Sequence, residues 1–371
     1  MRILVCPQEF KGSLRADEAA HAIAEGLRTA LPDADLELLP LADGGPGTAS
    51  IVAQAAGGRL VARTVRGPLG AAVEAQYALL PGGRAVVEAA AATGLVLVPP
   101  AERDPARAST FGVGEMIAAA IDGGATEVVV GVGGTGTNDG GAGALQALGA
   151  RLLDAAGAEV GPGPLELASL ARIDASAARE RLAGVRLRLA VDVRNPPLGS
   201  EGATAVYGPQ KGVTPDLAPR IEAALAHWAV LLARDLRVEV AALPGAGAGG
   251  GLAAGLAALG AHIESGAALV AEAVGLDAAI ARADLVVTGE GSLDAQTGYG
   301  KTVGHVAARC AALGRRCVAV AGVVAARPPG ITDAEASALP GEPVEASMAQ
   351  GAALVRAAAE RLGRRCAEPR G

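Results

Sequence analysis

Lysine is nearly missing from this chain. Of 32 basic residues only three are lysine, namely Lys11, Lys211 and Lys301, and only two asparagines occur, Asn138 and Asn195. Aromatic residues make up 2% of the chain, so any core must be built from Ala, Val and Leu. A basic excess is also missing. The formal charge of -7 argues against nucleic acid or an anionic membrane surface as the main partner. The four cysteines, Cys6, Cys310, Cys317 and Cys366, form no C-x-x-C pair and no zinc-type cluster with histidine. Free thiols in a reducing cytoplasm are expected. The opening MRILVCPQEFKGS has too short an apolar run for a signal peptide. The uncharged run 244–261 is Gly/Ala-rich and too weakly apolar for a convincing membrane span.

The three lysines repay attention because arginine has replaced lysine almost everywhere else. An ammonium and a guanidinium are not interchangeable, so a surviving lysine marks a place where the compact charge is needed. Each of the three touches glycine, in FKGS, QKGV and YGKT.

The patterning is that of an α/β protein 51% hydrophobic overall. Residues 2–6 read as a strand, 13–31 as a helix with Ile23, Leu27 and Leu31 on one face, 34–41 as a strand and 48–56 as a helix. This β-α-β-α order signals a parallel sheet. Residues 59–98 carry short β-like runs separated by GPLG and PGG, which predict hairpins. A helix near 110–121, a strand at 126–131 and a helix near 140–149 follow. The segment 185–193 predicts a strand that ends at Asp192, and 215–233 a long helix. The end of the chain returns to β-α-β, with a strand at 283–291 running into a loop, a helix at 301–314 and a strand at 316–324. Both ends therefore predict one α/β domain, 1–66 plus 281–371, interrupted by a second, 67–280.

Two motifs invite labels that their surroundings do not support. GVGGTG (131–136) fits the dinucleotide fingerprint, yet TNDGG is a poor first helical turn. AQTGYGKT (295–302) fits a relaxed phosphate loop, but the loop from the preceding strand is too long. A phosphate facing Lys301 at a helix N-terminus is the better reading.

More telling is the shared chemistry of six polar segments: QEFKGS (8–13), LADGGPGT (41–48), GGTGTNDGG (133–141), DVRNP (192–196), GPQKG (208–212) and TGEGSLDAQTGYGKT (288–302). Several fall between a predicted strand and a helix, where loops of an open α/β sheet gather at one edge. Glycines admit an oxyanion to backbone N–H groups, lysines add charge, and Asp43, Asp139, Asp192, Glu290 and Asp294 supply hard oxygen ligands or a base. Phosphoryl transfer needs these parts and little else. Each segment also has a plain structural reading, as a turn or as tight packing. The histidines His21, His227, His262 and His305 fall mostly in predicted helices and make no catalytic arrangement.

The motifs FKGSL, LADGGPGT, GGTGTNDGGAGALQALGA, DVRNPPLG, YGPQKG, PGAGAGGGLAAGL and TGEGSLDAQTGYGK occur in an order that resembles the glycerate kinase type-1 family, from residue 2 to about 323. The resemblance implies two α/β domains, one flavodoxin-like and formed by both chain ends, and a mixed-sheet one inserted in it, with the site in a cleft. It implies ATP and Mg2+, with D-glycerate as acceptor and 2-phosphoglycerate as the main product. The 3-product, a related hydroxy acid, a nicotinamide-dependent dehydrogenase and a non-catalytic nucleotide-binding protein remain alternatives, and a homodimer is open. The chain departs from the family pattern at Gln8 and Glu9, at Pro46 in place of Glu, and at Ser292 in place of Arg.

On this reading Asp192 is the first choice for the base that takes the glycerate hydroxyl proton, with Asp294 and Asp43 behind it. Lys11 and Lys211 bind the glycerate carboxylate or the moving phosphoryl group, and Glu290 and Asp294 hold magnesium. The loop Gly133, Gly134, Thr135, Gly136, Thr137, Asn138 and Asp139 wraps phosphates through its amides, with Asp139 facing the metal or ordering the loop. Ser13, Asn195 and Lys301 complete the expected binding set. Gly134→Val is expected to raise the ATP requirement without unfolding the protein.

Overall fold

The computed structural model describes residues 1–294, 301–338 and 344–367. AQTGYG (295–300), most of the phosphate-loop-like motif, lies outside the described residues. The chain divides into two compact units, residues 1–43 with 267–371, and residues 44–266.

The first unit is built on five parallel strands in the spatial order Ile331–Ala336, Arg316–Val324, Leu285–Leu293, Arg2–Val5, Asp35–Leu38. Numbered along the unit and read from the other edge, this is the order 2-1-3-4-5 of flavodoxin-like sheets. The central strands are nearly all apolar because both faces are covered. Leu4 and Val286 point into one core, while Ile3, Val5, Leu285 and Val287 point into the other. The helix Ala16–Ala30 begins where Glu18 accepts the Arg15 amide at 2.9 Å, and it packs beside Gly351–Ala367.

The strand expected at 283–291 runs on to Leu293, so Glu290 lies in the sheet rather than in a loop. Ser292 and Leu293 pair with Val323 and Val324. Small residues permit this close approach: a Cβ on Gly289 would lie 2.2 Å from the Val320 carbonyl oxygen.

The second unit holds a six-stranded mixed sheet. His262–Glu264, Arg186–Ala190, Glu127–Gly131 and Arg84–Glu88 run parallel, and Ala72–Leu80 and Arg59–Arg66 continue antiparallel. Arg151–Asp154 and Leu170–Asp174 form a separate antiparallel pair. Trp228, Tyr77 and Met116 stand in a core otherwise made of aliphatic residues, mainly Ala, Val, Leu and Ile.

The unit bounds differ from the expected 66 and 281. Arg59–Arg66 is an edge strand bonded to Ala72–Leu80, which carries the neighbouring segment into the second unit. At the other boundary, Leu276 and Ile280 bury against Leu4 and Val286, which draws their helix into the first. Among the described residues no helix is long and apolar enough to cross a membrane.

Candidate active site

The glycine-rich stretch 131–143 follows the strand Glu127–Gly131 and falls into two parts with different physics. In the first part, Gly133 and Gly134 are exposed, and Gly134 has φ of +72°. The Gly134 carbonyl accepts the Leu95 amide at 3.0 Å, and the Gly136 amide donates to the Thr93 carbonyl at 2.7 Å. Between these anchors the amides of Gly133, Gly134 and Thr135 have no hydrogen-bond acceptor among the described residues. Successive N–H groups left without an acceptor, two of them on the exposed Gly133 and Gly134, can make an anion nest. The loop after Asp43 lies against them, since a Cβ on Gly131 would sit 2.1 Å from the Gly44 carbonyl oxygen and one on Gly134 3.2 Å from the Pro46 ring. Pro46, where the family pattern has Glu, therefore acts as a wall of the nest.

The second part is internal packing. Asp139 is fully buried, and its carboxylate accepts the Thr110 amide (2.8 Å), the Thr110 hydroxyl (2.9 Å), and the amides of Gly141 (3.1 Å) and Gly143 (3.2 Å). Burial pushes its carboxyl group above the usual range, and the four donors hold it back. Of the two roles expected for Asp139, these bonds are those of ordering the loop. Gly140 donates to the Gly250 carbonyl at 3.0 Å and accepts the Trp228 indole N–H at 3.0 Å. A Cβ on Gly250 would lie 2.1 Å from the Thr137 carbonyl oxygen, so GAGAGGG is glycine because one backbone lies on another.

Lys211 is buried beside this loop and donates to the Thr137 carbonyl at 2.6 Å. Burial draws its ammonium down to about 8, against the opposing charge of Asp139. Thr137 Oγ1 and Asn138 Oδ1 are buried without a partner among the described residues, although Asn138 Nδ2 donates to the Thr204 hydroxyl at 3.0 Å. Orphaned buried acceptors of this kind are costly unless water or a ligand meets them.

Asp192 stands two residues beyond the end of Arg186–Ala190, exposed, with Oδ1 accepting the Gly266 amide at 3.1 Å. Asn195 is committed within its own loop, donating to the Glu201 carbonyl and accepting the Tyr207 hydroxyl, both at 2.8 Å.

In the first unit the expected residues follow strand ends. Gln8 donates to Asp43 at 2.7 Å, so the departure at Gln8 has a structural use. Burial raises the Glu9 carboxyl, Asp43 raises it further, and Lys11 lowers it. Ser13 donates to the Met348 carbonyl at 2.9 Å. Lys301 immediately precedes the helix Thr302–Ala312. Glu290 is buried and Asp294 half-buried. No group of three or more potential ligands forms a ready metal cage among the described residues. Magnesium takes one or two carboxylates and leaves the remaining positions to phosphate and water, so either Glu290 or Asp294 has the donor chemistry for it without a cage.

Sequence reasoning missed three contributors. Thr110 supplies two of the bonds to Asp139. Glu88 accepts the amides of Gly47 (3.0 Å) and Ala49 (2.6 Å), closing the N-terminus of the helix Thr48–Ala55. Arg103 reaches the Gln210 carbonyl at 2.8 Å. Only Thr110 left a trace, as a polar residue just before a helix. The dinucleotide reading of GVGGTG also loses its footing, because the next helix starts at Ala142, beyond the glycine pattern.

The glycerate kinase family model matches residues 3–367. The chain belongs to the glycerate kinase family. It is 47% identical over 304 residues to the glycerate kinase of Bacillus subtilis (strain 168), covering 81% of this chain and 80% of that one. It is 44% identical over 303 residues to the glycerate 2-kinase of Escherichia coli (strain K12), covering 81% and 80%. A crystal structure from Salmonella typhimurium LT2, described as a candidate glycerate kinase 2, is 42% identical and superposes with a TM-score of 0.87 over 99% of this chain and 98% of that one. For a glycerate kinase the Gly134→Val test is badly placed. A β-branched residue at φ +72° is strained whatever it does to ATP. Gly133 has no positive φ, and a Cβ there would lie 3.3 Å from Gly45 Cα. Gly133→Ala is expected to raise the KM for ATP roughly tenfold with a melting change of about 1 °C, read by ATP titration and a thermal melt.

Proposed function

We propose that this chain transfers the terminal phosphoryl group of Mg-ATP to the 2-hydroxyl of D-glycerate, giving 2-phosphoglycerate and ADP. Membership of the glycerate kinase family over residues 3–367 carries the reaction class, and the similarity to a glycerate 2-kinase favours the 2-hydroxyl. In the mechanism we infer, the amides of Gly133, Gly134 and Thr135 hold phosphate oxygens, with Asp139 and Thr110 fixing the loop behind them. Asp192 takes the proton from the acceptor hydroxyl. Lys211 holds an anionic group of the acceptor or of the moving phosphoryl, and Lys11 and Lys301 add positive charge. Glu290 and Asp294 hold magnesium, which neutralises charge on the phosphates when bound. Asp43 keeps Gln8 in place and is the reserve base. A cytoplasmic location, where ATP is abundant and thiols stay reduced, fits the same reading.

The test is ADP release by the purified chain with Mg-ATP. Release that depends on D-glycerate, and a much weaker response to L-glycerate, is expected. Release independent of any hydroxy acid would point to a bare nucleotide hydrolase.

The state of Lys211 adds a pH dependence. Only its ammonium form binds an anion, and that form is lost as pH rises through about 8. The KM for glycerate is therefore expected to climb above about pH 8, approaching tenfold per pH unit, rather than near the ordinary lysine value. A flat KM up to about pH 9.5 would separate Lys211 from the anion.

A further inference from the structure

A small pocket in the second unit opens beside Lys211 and Gly136. Its walls are mainly apolar, with Leu69, Leu95 and Val98 prominent, and Arg103 and Lys211 supply its positive charge. The Arg103 guanidinium donates to the carbonyls of Gln210 (2.8 Å) and Leu95 (3.4 Å), which braces it across the pocket. Its Nε is buried with no partner among the described residues. Lys211 Nζ has one bond, to Thr137, and two further N–H donors without a partner among the described residues. Leaving cationic donors buried and unmet is costly, so the arrangement asks for an oxyanion.

The charge balance narrows the class. Asp104 also lines the pocket, with its Oδ1 accepting the Ala106 amide at 3.1 Å. Two carboxylates, Asp104 in the lining and Asp139 against Lys211, offset the two cations, so no large positive charge is left over. That falls short of what a polyphosphate needs and leaves a monoanionic carboxylate as the fitting anion. The enclosed space is about 10 Å³, little more than a water-sized group, so the charged head enters and the carbon end stays at the apolar mouth.

We propose that this pocket seats the carboxylate of the acceptor acid on Arg103 and Lys211, and that Leu95 and Val98 limit how large an acid is accepted. The assignment rests on the glycerate kinase reading. It makes Arg103, which lies outside all six polar segments, a specificity-determining residue.

The experiment compares D-glycerate with its neutral amide, glyceramide, by calorimetric binding and by turnover, in the unaltered chain and in Arg103→Gln. Arg103→Gln is expected to weaken D-glycerate roughly ten- to a hundredfold while glyceramide and ATP change little, so that the carboxylate-to-amide preference collapses. Arg103→Lys restores part of it. Equal weakening of both ligands would mean that Arg103 only braces the loop, and would overturn the proposal. Should Arg103→Gln fold poorly, Val98→Phe fills the half-buried wall instead. It is expected to weaken D-glycerate at least tenfold and leave ATP binding intact, and unchanged D-glycerate affinity would overturn the proposal. Phosphorylation of D-glycerate with an unaltered carboxylate preference in the variants would sink the pocket and leave the kinase. Binding that responds to Arg103 without any phosphorylation in the unaltered chain would sink the kinase reading and leave the pocket.

Discussion

Asp139→Ala is expected to lower the melting midpoint by roughly 10 °C, even without any ligand present. The reason is the four donors that converge on this buried carboxylate, two from Thr110 and one each from Gly141 and Gly143. Removing the acceptor leaves them unmet in a site that water does not enter freely. Orphaned buried donors cost about 1–3 kcal/mol each before relaxation, and a total of about 3–5 kcal/mol is reasonable once the loop gives way. For a unit of this size each kcal/mol moves the midpoint by about 2–4 °C. A circular dichroism melt of the unliganded protein reads it directly. A shift below about 2 °C together with lost activity would show that the carboxylate serves a ligand instead.

Asp192→Asn is expected to reduce turnover by about 100-fold or more and to leave the melting midpoint unchanged. The carboxamide oxygen can still accept the Gly266 amide, so the bond that fixes the side chain survives. What disappears is the ability to take a proton. Steady-state kinetics with D-glycerate and Mg-ATP separates the two effects. Near-normal turnover would remove Asp192 from the role and bring Asp43 and Asp294 forward.

The central strands of the first unit's sheet were legible because they are buried on both faces and read as short apolar runs, whereas the edge strand Ile331–Ala336, ITDAEA, carries no such run and went unread. The helix at Ala16–Ala30 was equally open, through its periodic Ile23 and Leu27 and its acidic first turn. The unit boundary was not. Residues 48–66 continue an α/β pattern, and nothing local says that Arg59–Arg66 pairs with Ala72–Leu80 rather than with Asp35–Leu38. Strand pairing is a long-range choice that periodicity does not encode.

The site divides in the same way. Glycine at 133 and 134 pointed to close backbone approach, and the exposed amides agree with it. Glycine at 140, 141 and 250 carried the same signal for a different cause, backbone packed on backbone. Sequence cannot separate those causes, because each needs only the missing Cβ. Lysine scarcity drew attention to Lys211, which is buried with its ammonium drawn down to about 8. The same argument was blind to Arg103, one arginine among many.

Incubating the purified protein with Mg-ATP and D-glycerate and following phosphorus NMR decides whether the chain phosphorylates the 2-hydroxyl. A phosphomonoester signal at the position of 2-phosphoglycerate, growing in step with ADP, is the predicted result. A signal at the position of 3-phosphoglycerate, or no new phosphomonoester while ATP and D-glycerate both bind, would contradict it.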